Sequence, residues 1–202
     1  MKIPKIDFRY SWVYDGIYRN SDAINESLKS EGKKYPSINE IIKFRNSAEK
    51  YWQAESKTIM TNLSKITRLD WKEDKIKCYF VGWRKSFSDP LTIGIINLKN
   101  KDDFIDTLTH ELIHQIQIQS DRNMKKWFDY LSKRYELETK STRNHIFLHA
   151  VHWKLLISLY GKKRLDKNII KHEKYSDYKR AWEIVKKEGY ENIIKEFTKR
   201  TE

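Results

Sequence analysis

From Pro36 onward the apolar residues fall at helical spacing. Ile41, Phe44, Ala48, Trp52, Ile59, Leu63 and Ile66 recur on one stripe behind a Ser37/Glu40 capping-box pair, which predicts a long helix ending near Leu69. The period then changes. Lys75 to Trp83, with its β-prone Ile-Lys-Cys-Tyr-Phe-Val, and Leu91 to Leu98 read as a pair of strands in a small sheet, with Ser88, Asp89 and Pro90 between them as turn residues. Helical spacing returns over about Asp102 to Ser120, whose first turn is acidic as the helix dipole prefers, then over Asn123 to Leu137, and again from about Ile146 to Tyr160, where Gly161 stops the run. The segment from Tyr175 to Arg200 reads as two helices hinged at Gly189. Tyr178, Ala181, Trp182 and Val185 form one stripe, and Ile193, Ile194 and Phe197 the next. Residues 1–35 show little periodicity beyond a short helix around Ser21 to Lys29. The pattern predicts an α+β fold, mostly helical, with a small β-sheet beside the Asp102–Ser120 helix. It divides into an N-terminal extension (1–35), a core (36–162) and a basic helical tail (163–202).

Composition changes this picture in two ways. A length of 202 residues suits one functional unit, and seven Trp, twelve Tyr and eight Phe supply enough large apolar side chains to exclude a disordered chain. Against 28 acidic residues stand 41 Lys and Arg, giving a net charge of +13 that attracts polyanions, nucleic acid first among them. Cys78 is the only cysteine, which excludes an intrachain disulfide and a cysteine-rich zinc ribbon or finger and suits a reducing compartment. No apolar leader opens the sequence and no stretch has the length of a membrane span, so an intracellular, cytoplasmic location without a membrane partner is expected.

The chemistry concentrates in Thr-His-Glu-Leu-Ile-His. Residues four apart lie above one another on a helix, so His110 and His114 can reach one zinc ion, while Glu111 is displaced around the helix and can address water as a general base. Ile105, Leu108, Leu112 and Ile116 form the opposite stripe, so the core-facing side of this helix is already supplied without the histidines. A catalytic zinc takes three protein ligands and keeps one position open. The third ligand comes from elsewhere, and His145, His149 and His152, at spacings of four and three, can share one helical face. His172, alone near a lysine-rich loop, reads as a surface residue.

These residues resemble the SprT-like (Spartan-type) metallopeptidases, whose pattern is a strand pair, an active helix of the form Thr-Leu-x-His-Glu-x-x-His, and a separate helix opened by His-Gly-x-x-Trp-Lys-x-Leu. Here Thr107 to His114 carry the first motif and His149-Ala150-Val151-His152-Trp153-Lys154-Leu155-Leu156 the second, over about residues 75–161. The resemblance implies His149 as third zinc ligand, with Trp153 and Leu156 packing below it, and leaves His152 and His145 as alternative ligands or oxyanion donors. Ala150 departs from the glycine of the pattern, and the single cysteine leaves no room for the zinc ribbon of many relatives.

The expected activity is peptide-bond hydrolysis by a zinc-activated water, with Glu111 moving the proton, on a protein or peptide substrate. The resemblance also implies substrates at or on DNA. Lys125, Lys126, Lys162, Lys163 and Arg164 are the candidate phosphate contacts, although phosphate binding asks only for positive charge. Tyr130, Tyr135 and Arg143 join the histidines as conceivable oxyanion donors. Two other readings stand beside this one: a processing or regulatory zinc protease unrelated to DNA, and a non-catalytic basic nucleic-acid-binding protein with a structural zinc.

Overall fold

The computed structural model describes residues 2–120, 122 and 124–202. Over these residues the chain is a mostly helical α+β protein with one four-stranded mixed sheet. Two compact units divide it, one of residues 2–57 and 73–115, the other of residues 58–72 and 116–202.

The first unit holds β1 (Lys5–Tyr10), α1 (Trp12–Arg19), α2 (Asp22–Ser30), the first part of α3 (Ile38–Thr67), β2 (Lys75–Val81), β3 (Phe87–Ser88), β4 (Leu91–Gly94) and α4 (Lys101–Ile118) as far as Gln115. The capping box forms as its spacing predicts. Ser37 Oγ accepts the Glu40 N–H at 3.2 Å, and the Glu40 carboxylate accepts the Ser37 N–H at 2.7 Å. The sheet order is β1-β2-β4-β3, with β1, β2 and β4 parallel and β3 antiparallel to β4. The two predicted strands are therefore neighbours but run parallel, and the Asp89-Pro90 turn serves the short β3 instead. Residues 2–35, read from the sequence as an extension with one short helix around Ser21 to Lys29, supply the edge strand β1, helix α1 and that short helix as α2. The alternation of Ile6, Phe8 and Tyr10 with Asp7 and Arg9 is the period-2 signal of that strand. Sheet, α3 and α4 meet at Phe8, Phe44, Phe80 and Phe104, whose ring centroids lie 5.6–6.2 Å apart in mostly edge-on contacts.

Asp15 ties this unit together from a fully buried position. Its carboxylate accepts from Tyr10 Oη (2.8 Å), Tyr35 Oη (2.8 Å), the Arg19 guanidinium (2.7 and 3.0 Å) and the Gly82 N–H (2.9 Å). The Tyr35 ring occupies the place where a Cβ on Gly82 would stand, which is why glycine follows β2. Burial alone would raise the Asp15 pKa, but the donors on Gly82, Tyr35, Arg19 and Tyr10 outweigh it and lower it. Its contribution to stability is present above the unfolded-chain value and fades as pH falls through the lowered native one. Asp15→Ala leaves buried donors and a partly buried guanidinium without their acceptor, so a loss of about 3 kcal/mol is expected in urea unfolding. An unchanged midpoint would show that these bonds contribute nothing net.

The second unit packs α5 (Met124–Arg134), α7 (Lys162–His172), α8 (Ser176–Glu188) and α9 (Tyr190–Thr201) around α6 (Lys140–Tyr160), with the end of α3 alongside. Trp127, Phe147 and Phe197 form its aromatic centre at 3.7–5.8 Å between rings. Gly161 and Gly189 end α6 and α8 at φ 78° and 84°, the left-handed region that favours glycine, so both predicted breaks stand. Two expectations need correction. Helix α6 starts at Lys140 rather than near Ile146, because Thr139 Oγ1 accepts the Thr142 N–H at 3.0 Å and opens the helix a turn and a half earlier. The lysine-rich stretch after Gly161 is helix α7, held by Leu165 and Ile169 on its buried side. The helix predicted from Asn123 begins at a residue outside the described ones and is seen from Met124. No helix among the described residues is long and apolar enough to cross a membrane.

Candidate metal centre

Helix α4 is opened by Asn100, whose side-chain oxygen accepts the Asp103 N–H at 2.9 Å while Asp103 accepts the Lys99 N–H at 3.0 Å. Beyond this cap the helix is buried on both faces. Phe104, Ile105, Leu108, Leu112, Ile113 and Ile116 supply its apolar contacts, and Thr109, His110 and Glu111 are buried as well. The histidines therefore do not sit on a solvated face. His110 is 5 % exposed, His114 is half-buried, and their rings meet edge to face at 5.4 Å. Gln115, the next residue, donates its side-chain amide to the Ser88 carbonyl of β3 and fixes the end of this turn against the sheet.

Glu111 is 6 % exposed, and burial pushes its carboxyl up to about 8. Burial likewise raises the Cys78 thiol, with the nearby Glu111 charge adding to it, so Cys78 is a core residue of β2 with no thiolate character.

His145, on α6, is held by one informative bond. Its Nδ1 lies 2.7 Å from the Ser141 carbonyl, which can only accept, so Nδ1 carries the proton and Nε2 carries the lone pair. Such a bond to the distal nitrogen is the usual support of a metal-ligating imidazole. Burial lowers the His145 pKa, against a smaller opposing effect of Ser141 and Asp177, and so favours the neutral ring that can ligate. His110, His114 and His145 form a group that can hold a metal ion: each offers one ring nitrogen, and these nitrogens lie within 4.8 Å of one another.

His149, which the family resemblance implies as third ligand, stands outside that group. Its ring is stacked on Trp182 at 4.1 Å and an interplanar angle of 10°, with His172 parallel to it at 5.8 Å. Trp153 and Leu156 do pack in this region, Trp153 lying 6.0 Å from Trp182 and Leu156 being buried. His152 is fully buried, and burial, aided by Arg164, lowers its pKa to about 3. His172 is not the surface residue expected. It is half-buried with its Nδ1 enclosed, against His149 and Tyr178. The sequence reading gives Tyr178 no place at the site, yet its ring covers His145 at 4.2 Å and meets both His149 and His172 edge-on. The sequence places Tyr178 on a helical stripe, but nothing local reveals that the stripe faces three histidines.

Other candidate donors are engaged elsewhere. Tyr135 donates to Glu188 at 2.8 Å, Arg143 donates to the carbonyls of Glu138 and Tyr135, and Tyr130 lies under the Arg200 guanidinium at 3.7 Å. Among the sequence-predicted phosphate contacts, Lys125 pairs with Asp129 at 2.6 Å and Lys162 with Asp166 at 2.7 Å, both along their own helices. Arg164 lies over Tyr160 at 3.9 Å, and Lys126 and Lys163 are exposed. Compared with known proteins, the chain matches no family model, no curated protein and no solved structure.

Proposed function

We propose that this chain is a zinc-dependent metallopeptidase, with His110, His114 and His145 as ligands and Glu111 as general base. The observation that carries the reading is the grouping of three imidazole nitrogens with a buried glutamate beside two of them on one helix turn. The donor set fits the ion. Three neutral imidazoles without a thiolate or a ligating carboxylate suit a borderline cation such as zinc, and three protein ligands leave a position open for water and substrate. Bound zinc supplies Lewis acidity, activating water and polarising the scissile carbonyl.

The chain's own residues supply the rest. Glu111 projects from the turn between the two helical ligands, where it accepts the proton of the attacking water and returns it to the leaving amine. Ser141 holds the His145 tautomer, and Tyr178 covers that ring and excludes water from it. The substrate is a protein or peptide, and the net charge of +13 favours proteins held on a polyanion such as DNA.

Elemental analysis of protein purified without chelator tests the ligand set in three chains. Wild type and His149→Phe, which keeps a ring against Trp182, should both retain stoichiometric zinc, and His145→Ala should lose most of it. The reverse pattern moves the third ligand to His149, as the resemblance implies. Wild type that neither carries nor takes up zinc sinks the metallopeptidase reading.

A further inference from the structure

Strand β1 leaves one edge of the sheet open. The Lys5 N–H donates to the Asp74 carbonyl at 2.9 Å, so Lys5, Asp7 and Arg9 turn their main-chain groups to β2, and the alternation turns those of Ile6, Phe8 and Tyr10 outward. Among the described residues β2 is the only strand that pairs with β1, and the outward groups carry no hydrogen bond. The opposite edge is the two-residue β3, so β1 is the long edge and a template for another strand.

Exposed apolar surface continues from the end of this edge. The Trp12 ring stands edge-on to Tyr10 at 5.4 Å, and Trp12, Val13 and Ile17 of α1 are 69 %, 72 % and 63 % exposed, on the side of the helix turned away from buried Asp15. Nowhere else among the described residues do three large exposed apolar side chains fall within six consecutive positions, which separates this patch from the single ones scattered over the surface.

The charges of the strand select its occupant. A second copy docked about a two-fold axis gives a closed pair, and the hydrogen-bonding alternation requires that axis to pass through a residue of β1. Through Asp7 it sets Asp7 against Asp7 and Lys5 against Arg9, and through Arg9 it sets Arg9 against Arg9, all like charges. Through Ile6 it brings Pro4, which has no N–H, to a bonding position, and through Tyr10 it sets Phe8 opposite Trp12, where the strand has already become α1. Through Phe8 it matches Ile6 with Tyr10 and Phe8 with Phe8, about six main-chain hydrogen bonds, and sets Asp7 opposite Arg9 of the second copy on both sides of the axis. Asp7 already accepts from its own Arg9 at 2.8 Å and pairs with Lys75 at 3.1 Å, so these charges choose the register, while main-chain groups and the apolar side chains of α1 hold the copies together. The same register carries Ile3 of the second copy, itself exposed, toward the start of α1.

We infer that the β1 edge joins two copies of this chain, antiparallel about a two-fold axis at Phe8, into one continuous sheet of eight strands, four from each copy. The interface uses none of the residues assigned to hydrolysis, so it stands or falls separately from the peptidase reading.

Sedimentation equilibrium over about 1–100 μM is the test, with circular dichroism certifying the fold of each chain. Wild type should be a dimer over the upper part of this range. Asp7→Arg and Arg9→Asp each set like charges across the axis at both pairs, so each alone should weaken the dimer at least tenfold. An equal mixture of the two restores opposite charges at both pairs, so dimers should return in the mixture alone. Trp12→Ser/Ile17→Ser alters only exposed side chains and should also weaken the dimer at least tenfold, which keeps the test decisive if a charge variant fails to fold. Wild type that stays monomeric throughout overturns the inference and leaves the edge to an extended segment of a different protein. Variants that dimerise as wild type does would move the contact to another surface, and a mixture that stays monomeric would overturn the Phe8 register.

Discussion

Glu111→Gln should abolish peptide hydrolysis while leaving zinc content and thermal unfolding unchanged. Glutamine has the shape of the glutamate it replaces but accepts no proton, and a general base acting in the transition state contributes about 10²–10⁴-fold to rate. A fall of that size in kcat is expected, with little change in KM. The position suits a clean comparison. Glu111 is buried on a helix packed on both faces, so a side chain of the same size keeps the packing, and burial disfavours the carboxylate, so the native state does not depend on its charge. A quenched-fluorescent peptide library and a denatured protein, each with zinc-loaded enzyme, provide the readout. Turnover that survives in Glu111→Gln would remove the glutamate from the chemistry. Zinc-loaded wild type that cleaves neither substrate, despite a full metal site, would instead support the reading of a nucleic-acid-binding protein braced by zinc.

The elements that could be read from the sequence are those whose signal is local. The Ser37/Glu40 box, the His110/His114 spacing and the Gly161 and Gly189 breaks each depend on a few consecutive residues, and each appears in the structure. The start of α6 was hidden because Lys140 to Asn144 carry no apolar stripe, and only the Thr139 cap marks it. Parallel pairing of β2 with β4, and of β1 with β2, depends on crossover connections that leave no trace in the strand sequences. The choice among His145, His149 and His152 belongs to the same class. Spacings of four and three put all three on related faces, and periodicity cannot rank them. What the structure adds is a long-range juxtaposition: the ring nitrogens of His110, His114 and His145 lie within 4.8 Å of one another, while the His149 ring lies against Trp182. The family resemblance implies His149, and the group that can hold a metal ion contains His145, one turn earlier on the same helix.

Burial of His152 should cost the metal-free protein stability as pH falls below about 6.5, an effect that runs against the buried Glu111 carboxyl, which is raised to about 8 and acts in the opposite direction. In the unfolded chain each histidine takes a proton near that pH. In the native chain burial, with the Arg164 charge adding to it, holds His152 neutral down to about 3. His172 is likewise held well below its ordinary value, by burial first and then by His152, Lys171, His145 and Lys174. The sign follows from which state binds more protons. Between the native and unfolded values the unfolded state does, so stability rises with pH across that window and is lost on acidification, by about 1.4 kcal/mol per pH unit for His152 alone. Unfolding free energies of chelator-treated wild type and His152→Leu at pH 7 and pH 5 isolate this side chain, because Glu111 is common to both: the change between the two pH values should differ between the chains by on the order of 2 kcal/mol. The same pH dependence in both chains would mean that His152 accepts a proton in the native state without cost, and that the packing of α6 against α7 and α8 is looser than its burial implies. Of the proposed ligands, His145 is likewise lowered by burial, which favours the neutral ring whose lone pair can meet a cation.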